Sequence, residues 1–231
     1  MNYFVISDIH GHLTKLNELL KHWNPDNEKL IFLGDYIDRG PDSIHVLKRV
    51  KELTENYGAE ALMGNHEDMF LTWLDHPNYD GEDQYLNSMA FATVLSFLSN
   101  TPSIASKGNP LTLTPATIRE ILLNEHHELL DFMKNLSLYH ETPNYLFVHA
   151  GINPNLSDWK NNTINDFLWI REPFIYSQHD LDKIIVFGHT HTCLLHDEPT
   201  NTNIWIDRYQ SKIGIDGGAG SYKSLNGVLL K

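Results

Sequence analysis

Residues 34–40 read GDYIDRG and directly follow an apolar run, residues 30–33, that is typical of a buried strand. A glycine on either side lets the backbone approach a small charged group closely and adopt conformations closed to other residues. Two carboxylates three residues apart, beside an arginine, suit a site that holds a cation and an anion together. Taken alone, the stretch is equally compatible with a solvated turn of the Asp-Gly type.

Four more short apolar runs end directly in polar residues that can bind a metal ion. These clusters are Asp8 with His10, Asn65 with His66, His149, and His189 with His191. In open α/β sheets, ligands bind in the crevice at the carboxyl ends of the strands. Five clusters in this position are difficult to explain by packing, so we expect them to meet at one edge of the sheet and form a site.

The donor groups of these clusters are carboxylates, imidazoles and one carboxamide, and no thiolate is among them. This set suits Mn²⁺, Fe, Zn²⁺ or Co²⁺ and argues against a sulfur-rich structural zinc site. The ligands are too many for one ion. Two ions about 3.5–4 Å apart that share a carboxylate can hold a bridging hydroxide and a phosphoryl oxygen together. Asp35, at the end of a strand, is the expected shared ligand.

Composition limits the class of protein and its partners. The chain has 231 residues with 17 basic and 30 acidic side chains, which gives a net charge of -13. A nucleic-acid polymer or an anionic membrane is met by a basic face, so neither is an expected partner. The single cysteine, Cys193, fits a reducing compartment, and residues 3–8 do not resemble a signal peptide. The expected location is cytoplasmic.

Residues 1–231 are expected to form one α/β domain. Apolar runs that predict strands recur along the chain at residues 3–7, 30–33, 59–63, 145–148, 184–187, 204–206, 212–215 and 225–230. Between about residues 69 and 136, by contrast, the apolar positions favour helices and no strand is obvious. We therefore predict a helical insertion or cap on the α/β core, although peripheral packing is the alternative for any one residue in it.

Together the motifs resemble the signature of the calcineurin-like metallophosphoesterases. They are DIHG at 8–11, GDYIDRG at 34–40, GNHE at 64–67, HAG at 149–151 and GH at 188–189. The Asp-Arg-Gly and Asn-His-Glu forms resemble the PPP branch of that family, which includes bacterial and phage serine/threonine protein phosphatases and symmetrical diadenosine tetraphosphate hydrolases. The resemblance implies the family fold, a β-sandwich of mixed sheets flanked by helices.

The resemblance also implies two divalent metal ions, with Mn²⁺ as the expected metal and Fe, Zn²⁺ or Co²⁺ as alternatives. One ion would be held by Asp8, His10 and Asp35. The other would be held by Asp35, Asn65, His149 and His189. His191 fits the Gly-His-x-His form of the wider superfamily and is either a further ligand of the first ion or a strand residue that faces solvent.

By the same resemblance, His66 is the acid that protonates the leaving oxygen, and Asp38 keeps it oriented. Arg39, together with Arg171 from the stretch LWIRE at 168–172, would grip the phosphate oxygens, where a planar guanidinium suits the anion. The implied reaction is direct in-line attack on phosphorus by a metal-bridging hydroxide, with no phosphoenzyme.

The substrate is the open part of the assignment. Protein-phosphatase members usually carry an arginine just before Gly-Asn-His, and Met63 stands there instead, which resembles the dinucleotide hydrolases. Trp169, Arg171 and Glu67 favour the protein-phosphatase side. We expect a serine/threonine protein phosphatase-like phosphomonoesterase that acts on phosphorylated protein or a small phosphoester. A symmetrical hydrolase of dinucleoside polyphosphates, with a nucleotide substrate, is the alternative, and a non-catalytic metal-binding scaffold is the second alternative.

Overall fold

The computed structural model describes residues 1–77, 85–86, 90–104, 112–221 and 223–231. Within these ranges the strands are β1 (Asn2–Ile6), β2 (Glu28–Phe32), β3 (Glu60–Ala61), β4 (Tyr139–Glu141), β5 (Tyr145–Val148), β6 (Ile184–Phe187), β7 (Trp205–Ile206), β8 (Lys212–Gly214) and β9 (Gly227–Leu230). The α-helices are α1 (Leu13–Leu20), α2 (Ser43–Tyr57), α3 (Asn65–Asp75), α4 (Phe91–Ser99), α5 (Pro115–Glu125), α6 (His127–Lys134), α7 (Ile164–Trp169) and α8 (Thr192–Leu195). Single turns of 3₁₀ helix lie at Trp159–Asn161 and Ala219–Ser221.

The strands form two mixed sheets. The first has the order β3-β2-β1-β9, with β9 antiparallel to β1 and the other neighbours parallel. The second has the order β4-β5-β6-β8-β7, in which β5, β6 and β8 are parallel and the two edge strands are antiparallel. The expected α/β architecture of mixed sheets flanked by helices is confirmed. Parallel pairing also places the carboxyl ends of the central strands at a common edge of each sheet.

Alternate side chains of the central strands point to opposite faces, as the period of two requires. On β1, Val5 packs into an apolar cluster with Phe147 and Val186 of the second sheet. Phe4 and Ile6 point the other way, into the cluster covered by the helices. The outer face of the second sheet packs against Trp159, Phe167 and Phe174. Both sheets are therefore buried on two faces, which accounts for their nearly continuous apolar sequences.

Helices α3 to α6 lie in the region for which a helical insertion is predicted. Phe97 of α4 is fully buried and stacks on Phe70 of α3 with ring centroids 5.8 Å apart. The Oγ1 atom of Thr101, just past α4, lies 2.7 Å from Nε2 of His126. One apolar cluster includes Phe97, Phe70 and residues of β1 and β2. The division into one domain with an insertion at about 69–136 stays a prediction, but the described helices of this region share the apolar core of the first sheet.

The sequence pattern did not predict strand β4 or the short helices α7 and α8. Strand β4 is an edge strand whose residues are exposed or half-buried, so its sequence lacks an apolar alternation. Helix α7 has six residues, too few for a helical period, and is defined by the capping box that Thr163 makes with Asp166. Across the described residues, no helix has the length and apolar character needed to cross a bilayer.

The packing of α4 predicts that its buried phenylalanine contributes to global stability. Phe97→Ala removes a fully buried ring and is expected to lower the free energy of unfolding by about 3–5 kcal/mol, measured by urea denaturation. Phe91→Ala is the matched control, because Phe91 lies on the same helix with 46% of its surface exposed. Its expected cost is below about 0.5 kcal/mol. Equal, small effects of both substitutions would show that α4 is not part of the core.

Candidate active site

A cleft of about 330 Å³ opens at the ends of the strands, and most residues expected to do chemistry face it. The expected site residues that line it are Asp8, His10, Asp35, Arg39, Asn65, His66, Arg171, His189 and His191. His149 is fully buried beside them, and its Nε2 atom lies 3.5 Å from Oδ1 of Asp35. Asp38 lies behind His66, with no exposed surface. The clusters that follow separate strands in the sequence are thus brought together.

The loop that carries Asp35 is organised by the buried carboxylate of Glu67. Glu67, in the first turn of α3, accepts hydrogen bonds from the backbone N–H groups of Asp35 (2.9 Å), Tyr36 (2.8 Å) and Gly64 (3.0 Å). Burial and the charge of Asp35 raise the pKa of Glu67 to about 8, and these donors act against the shift. Glu67 therefore fixes the position of Asp35.

Several site residues have left-handed backbone conformations. Asp8, His10, Asp35 and His189 have φ angles of 55°, 47°, 56° and 60°. Such conformations are uncommon outside glycine and persist only where the surroundings hold them. Hydrogen bonds between the loops provide that constraint, including His10 N–H to the Asp35 carbonyl at 2.9 Å and His189 N–H to Oδ2 of Asp8 at 3.0 Å. Each loop thus depends on its neighbours for its shape.

Glycine is required where the loops after β2 and β3 touch. Gly34 has a φ of 99°, and a Cβ atom built on it would lie 2.5 Å from the Gly64 nitrogen. A Cβ atom on Gly64 would collide with the Asp35 carboxylate. At both positions the backbone lies so close to a neighbouring loop that no side chain fits, which explains why the motifs have glycine there.

Among the residues that the structure describes, two groups of donor atoms could each hold a metal ion, and Asp35 belongs to both. The first consists of His10, Asp35 and His66, and the second of Asp35, His149 and His189, with the atoms of each group within 4.8 Å of one another. The Oδ1 atom of Asn65 also lies 2.9 Å from Nε2 of His149 and 3.0 Å from Nδ1 of His189. Asp35 is therefore placed as the expected shared ligand would be.

In two of these imidazoles, the Nδ1 atom is hydrogen-bonded to a backbone carbonyl. Nδ1 of His10 lies 2.8 Å from the Ile37 carbonyl, and Nδ1 of His149 lies 2.8 Å from the Leu33 carbonyl. A carbonyl only accepts, so Nδ1 carries the proton and the Nε2 lone pair is directed inward. Nε2 of each ring lies 3.5 Å from an oxygen of Asp35. The Nε2 lone pairs and the Asp35 oxygens all carry negative charge density and face one another in a buried site, where a cation between them would stabilise them. These ligand atoms therefore fit metal ions.

Burial and mutual charge set the protonation of the donors. Burial lowers the pKa of His10 to about 3, so its ring is neutral at physiological pH. Burial raises the pKa of Asp35, but His149 and His66 outweigh it, and the net shift is well below the usual range. Burial, and then the charge of Asp35, raises the pKa of Asp8 to about 6. A neutral imidazole beside an ionised carboxylate is the protonation state that metal binding requires.

His66 differs from the other imidazoles because its pKa is raised. Burial lowers the pKa of His66, but Asp35 and the hydrogen-bonded Asp38 outweigh that effect and raise it to about 9. Nδ1 of His66 lies 2.7 Å from Oδ2 of Asp38, and Nε2 faces the cleft, 3.5 Å from Nη2 of Arg39. The ring is therefore held by one nitrogen and can present a proton to the cleft with the other.

The two expected phosphate-binding arginines approach the cleft from different segments. Arg171 donates from Nη1 to the His189 carbonyl at 3.1 Å and to Oγ1 of Thr190 at 2.9 Å. These bonds tie Arg171 to the loop after β6, whereas Arg39 belongs to the loop after β2. Guanidinium groups on two sides of a cleft can bind two faces of one anion.

His191 lies in the cleft but in neither donor group found among the described residues. Its side chain is half-buried, and its Nε2 atom lies 3.7 Å from Oδ2 of Asp216. A role of His191 as a ligand of the first metal ion therefore stays a prediction.

Asp216 was missed by the sequence-based reasoning. It follows β8 and is buried, and its carboxylate faces the cleft. Burial and the nearby charge of Asp8 raise the pKa of Asp216 well above its usual range. Its position in the sequence could have identified it, since Asp216 directly follows a predicted strand as the other site residues do. The run of glycines that follows it indicated a turn instead.

Comparison with known proteins places the chain among phosphoesterases. The model of the calcineurin-like phosphoesterase family matches residues 1–193. The chain is 29% identical over 160 residues to "Bis(5'-nucleosyl)-tetraphosphatase, symmetrical" of Nitrosospira multiformis, covering 68% of this chain and 46% of the relative. It is 27% identical over 173 residues to the protein of the same name from Wigglesworthia glossinidia brevipalpis, covering 70% and 62%. The match to the first of these thus spans about half of the relative's length.

Solved structures share the fold at low sequence identity. A putative diadenosine tetraphosphatase superposes with a TM-score of 0.65 at 17% identity, covering 99% of this chain and 88% of that one. A cold-active protein-tyrosine phosphatase of a psychrophilic Shewanella species gives a TM-score of 0.64 at 18% identity, covering 100% and 75%. Family match, fold and clustered motifs agree, and the chain belongs to the calcineurin-like phosphoesterase family.

Proposed function

We propose that this chain is a dinuclear metal-dependent phosphoester hydrolase. The observation that carries the proposal is the buried carboxylate of Asp35, which lies 3.5 Å from the inward Nε2 atoms of both His10 and His149. A carboxylate that lies between two imidazole groups can be shared by a pair of divalent ions. Mn²⁺ is the metal we expect, with Fe, Zn²⁺ or Co²⁺ as alternatives.

The residues that would hold the ions come from both sheets. Asp8, His10 and Asp35 would hold one ion, with His191 as an additional ligand. Asp35, Asn65, His149 and His189 would hold the other. Two divalent ions in these positions would supply Lewis acidity to the phosphoryl group and acidify the attacking water.

The remaining residues of the cleft act on the substrate directly. Arg39 and Arg171 bind the phosphoryl oxygens and orient the phosphorus for in-line attack. His66 donates the proton on Nε2 to the leaving oxygen, and Asp38 holds the opposite nitrogen at 2.7 Å. Asp38 thereby fixes the ring orientation and favours the protonated form that the reaction needs.

The substrate we propose is a symmetrical dinucleoside polyphosphate, such as diadenosine tetraphosphate. The curated relatives at 29% and 27% identity carry that activity in their names, and Met63 removes the extra arginine expected of a protein phosphatase. The cleft also has an apolar rim, defined as Met69, Trp169 and Leu194. Trp169 is 41% exposed, so its ring offers a surface on which a nucleobase can stack.

A phosphomonoesterase that acts on phosphorylated protein is the second candidate. Its support is the stretch LWIRE at 168–172, whose arginine lies in the cleft. A protein substrate would use the two guanidinium groups for its phosphate and would make less use of the apolar rim.

Metal content separates the role of Asp35 from that of His66. Asp35→Asn removes the shared charge and is expected to reduce bound Mn²⁺ from two ions per chain to fewer than one, measured by elemental analysis after dialysis. His66→Asn is expected to retain both ions and to lower kcat on an aryl phosphate by about 10²–10⁴-fold, because only the proton donor is lost. Loss of metal in the His66 variant would reassign that residue as a ligand.

Specificity constants for diadenosine tetraphosphate and a phosphoserine peptide test the substrate class. We expect the dinucleotide to be preferred by at least about tenfold, a difference of about 1.4 kcal/mol in transition-state binding. Trp169→Ala should raise KM for the dinucleotide by about 5- to 150-fold, since a stacked base contributes about 1–3 kcal/mol. Tyr176→Ala is the control, because Tyr176 is 74% exposed and lies outside the cleft. A preference for the peptide would favour the second candidate.

A further inference from the structure

Helix α4, from the region predicted as an insertion, brings a hydroxyl group to the back of the proposed proton donor. Thr93, in the first turn of α4, has no exposed surface. Its Oγ1 atom lies 2.6 Å from Oδ1 of Asp38, whose other oxygen, Oδ2, lies 2.7 Å from Nδ1 of His66. The Thr93 hydroxyl, the Asp38 carboxylate and the His66 ring thus form one buried chain of hydrogen bonds that ends at the cleft.

The direction of each bond in this chain is determined by its neighbours. An ionised carboxylate only accepts, so the Thr93 hydroxyl donates to Oδ1 and His66 Nδ1–H donates to Oδ2. Thr93 Oγ1 then accepts from the backbone N–H of Asp38 at 2.8 Å and has Ser43 Oγ at 3.0 Å as its remaining partner. The bonding capacity of the threonine hydroxyl is thereby filled, and a reversed orientation would leave Oδ1 of Asp38 without a donor among the described side chains.

Thr93 also contacts the backbone of Asp38, which is left-handed with a φ of 67°. This conformation is unfavourable for a residue with a side chain, so external contacts must maintain it. The N–H group of Asp38 donates to Thr93 Oγ1 at 2.8 Å and to Ser43 Oγ at 3.2 Å. One hydroxyl thus constrains both the main chain and the carboxylate of the residue that orients His66.

Helix α4 is itself firmly placed, which a positioning contact requires. It packs on α2, where Ser96 Oγ accepts the backbone N–H of Ile44 at 3.1 Å. Phe97, one turn after Thr93, is buried against Phe70 of α3. The hydroxyl of Thr93 is therefore presented by a rigid element, whose position is set by the same core that supports the strand-end loops.

We propose that Thr93 is a positioning residue for the reaction, which makes α4 part of the catalytic apparatus. By holding Oδ1 of Asp38, it fixes the carboxylate rotamer that aims His66 Nε2 at the leaving oxygen. The proposal rests on the proposed role of His66 as proton donor. Removal of the hydroxyl should therefore affect the step in which the leaving group takes a proton, more than the binding of phosphate.

The test compares two aryl phosphates on the metal-loaded protein. Phenyl phosphate releases a basic oxygen that needs a proton, whereas p-nitrophenyl phosphate releases an oxygen that leaves without one. Thr93→Val keeps the shape and removes the hydroxyl. It is expected to lower kcat for phenyl phosphate by about 10- to 100-fold and for p-nitrophenyl phosphate by less than about threefold. Thr93→Ser should restore both rates to within about threefold of the parent protein.

Ser96→Ala is the matched control, since it removes a hydroxyl from the same helix that accepts a backbone N–H but does not touch Asp38. It should leave the ratio of the two rates unchanged. An equal loss on both substrates in Thr93→Val would show that Thr93 supports the fold only, and no loss on either would exclude the proposal.

A second measurement keeps this inference separate from the proposed function. If the parent protein hydrolyses neither aryl phosphate, NMR of the metal-free protein decides the role of Thr93. The proposed function itself fails only if diadenosine tetraphosphate and the phosphoserine peptide are not hydrolysed either. The proton between His66 and Asp38 should give a slowly exchanging downfield resonance in the parent protein and in Ser96→Ala. Thr93→Val should broaden or abolish it. An unchanged resonance in Thr93→Val would overturn the proposal.

Discussion

A buried carboxylate that faces several imidazoles is the interaction on which the rest of this structure depends. Asp35 is almost completely buried, and a charge in that position is tolerated only with compensating charges and hydrogen bonds. The surroundings of Asp35 supply both. Glu67 holds the backbone of its loop, His66 donates a backbone N–H to Oδ1 at 3.1 Å, and the Nε2 atoms of His10 and His149 lie 3.5 Å away. Most of the non-glycine residues with a left-handed backbone also belong to the site. The backbone strain is therefore concentrated around the buried charges.

Much of this arrangement could be predicted from the sequence because strand ends are visible in it. Apolar runs end at Asp8, Asp35, His149 and His189, and parallel strands bring such ends to one edge. Contacts made from another layer could not be predicted in this way. Thr93 lies in the first turn of an apolar helix, where a single hydroxyl carries no signal, and only packing shows that it meets Asp38. Edge strand β4 was missed for a related reason, since a strand that buries little has no apolar period.

The helices between β3 and β4 contact both the core of the first sheet and the cleft. Their buried faces join the core of the first sheet, and α4 contacts the residue that orients the proposed acid. At the cleft, the apolar rim combines Met69 of α3 with Trp169 of α7 and Leu194 of α8. These rim residues lie on separate elements, and the Trp169 ring meets the His189 ring edge-on, with ring centroids 6.1 Å apart. The apolar rim is therefore in direct contact with the charged centre through one aromatic side chain.

Anomalous diffraction from crystals grown with Mn²⁺ tests most directly whether two metal ions share Asp35. We expect two anomalous peaks about 3.5–4 Å apart, on either side of the Asp35 carboxylate. One peak should lie beside His10 and the other beside His149. A single peak, or two peaks that do not both contact Asp35, would contradict the account.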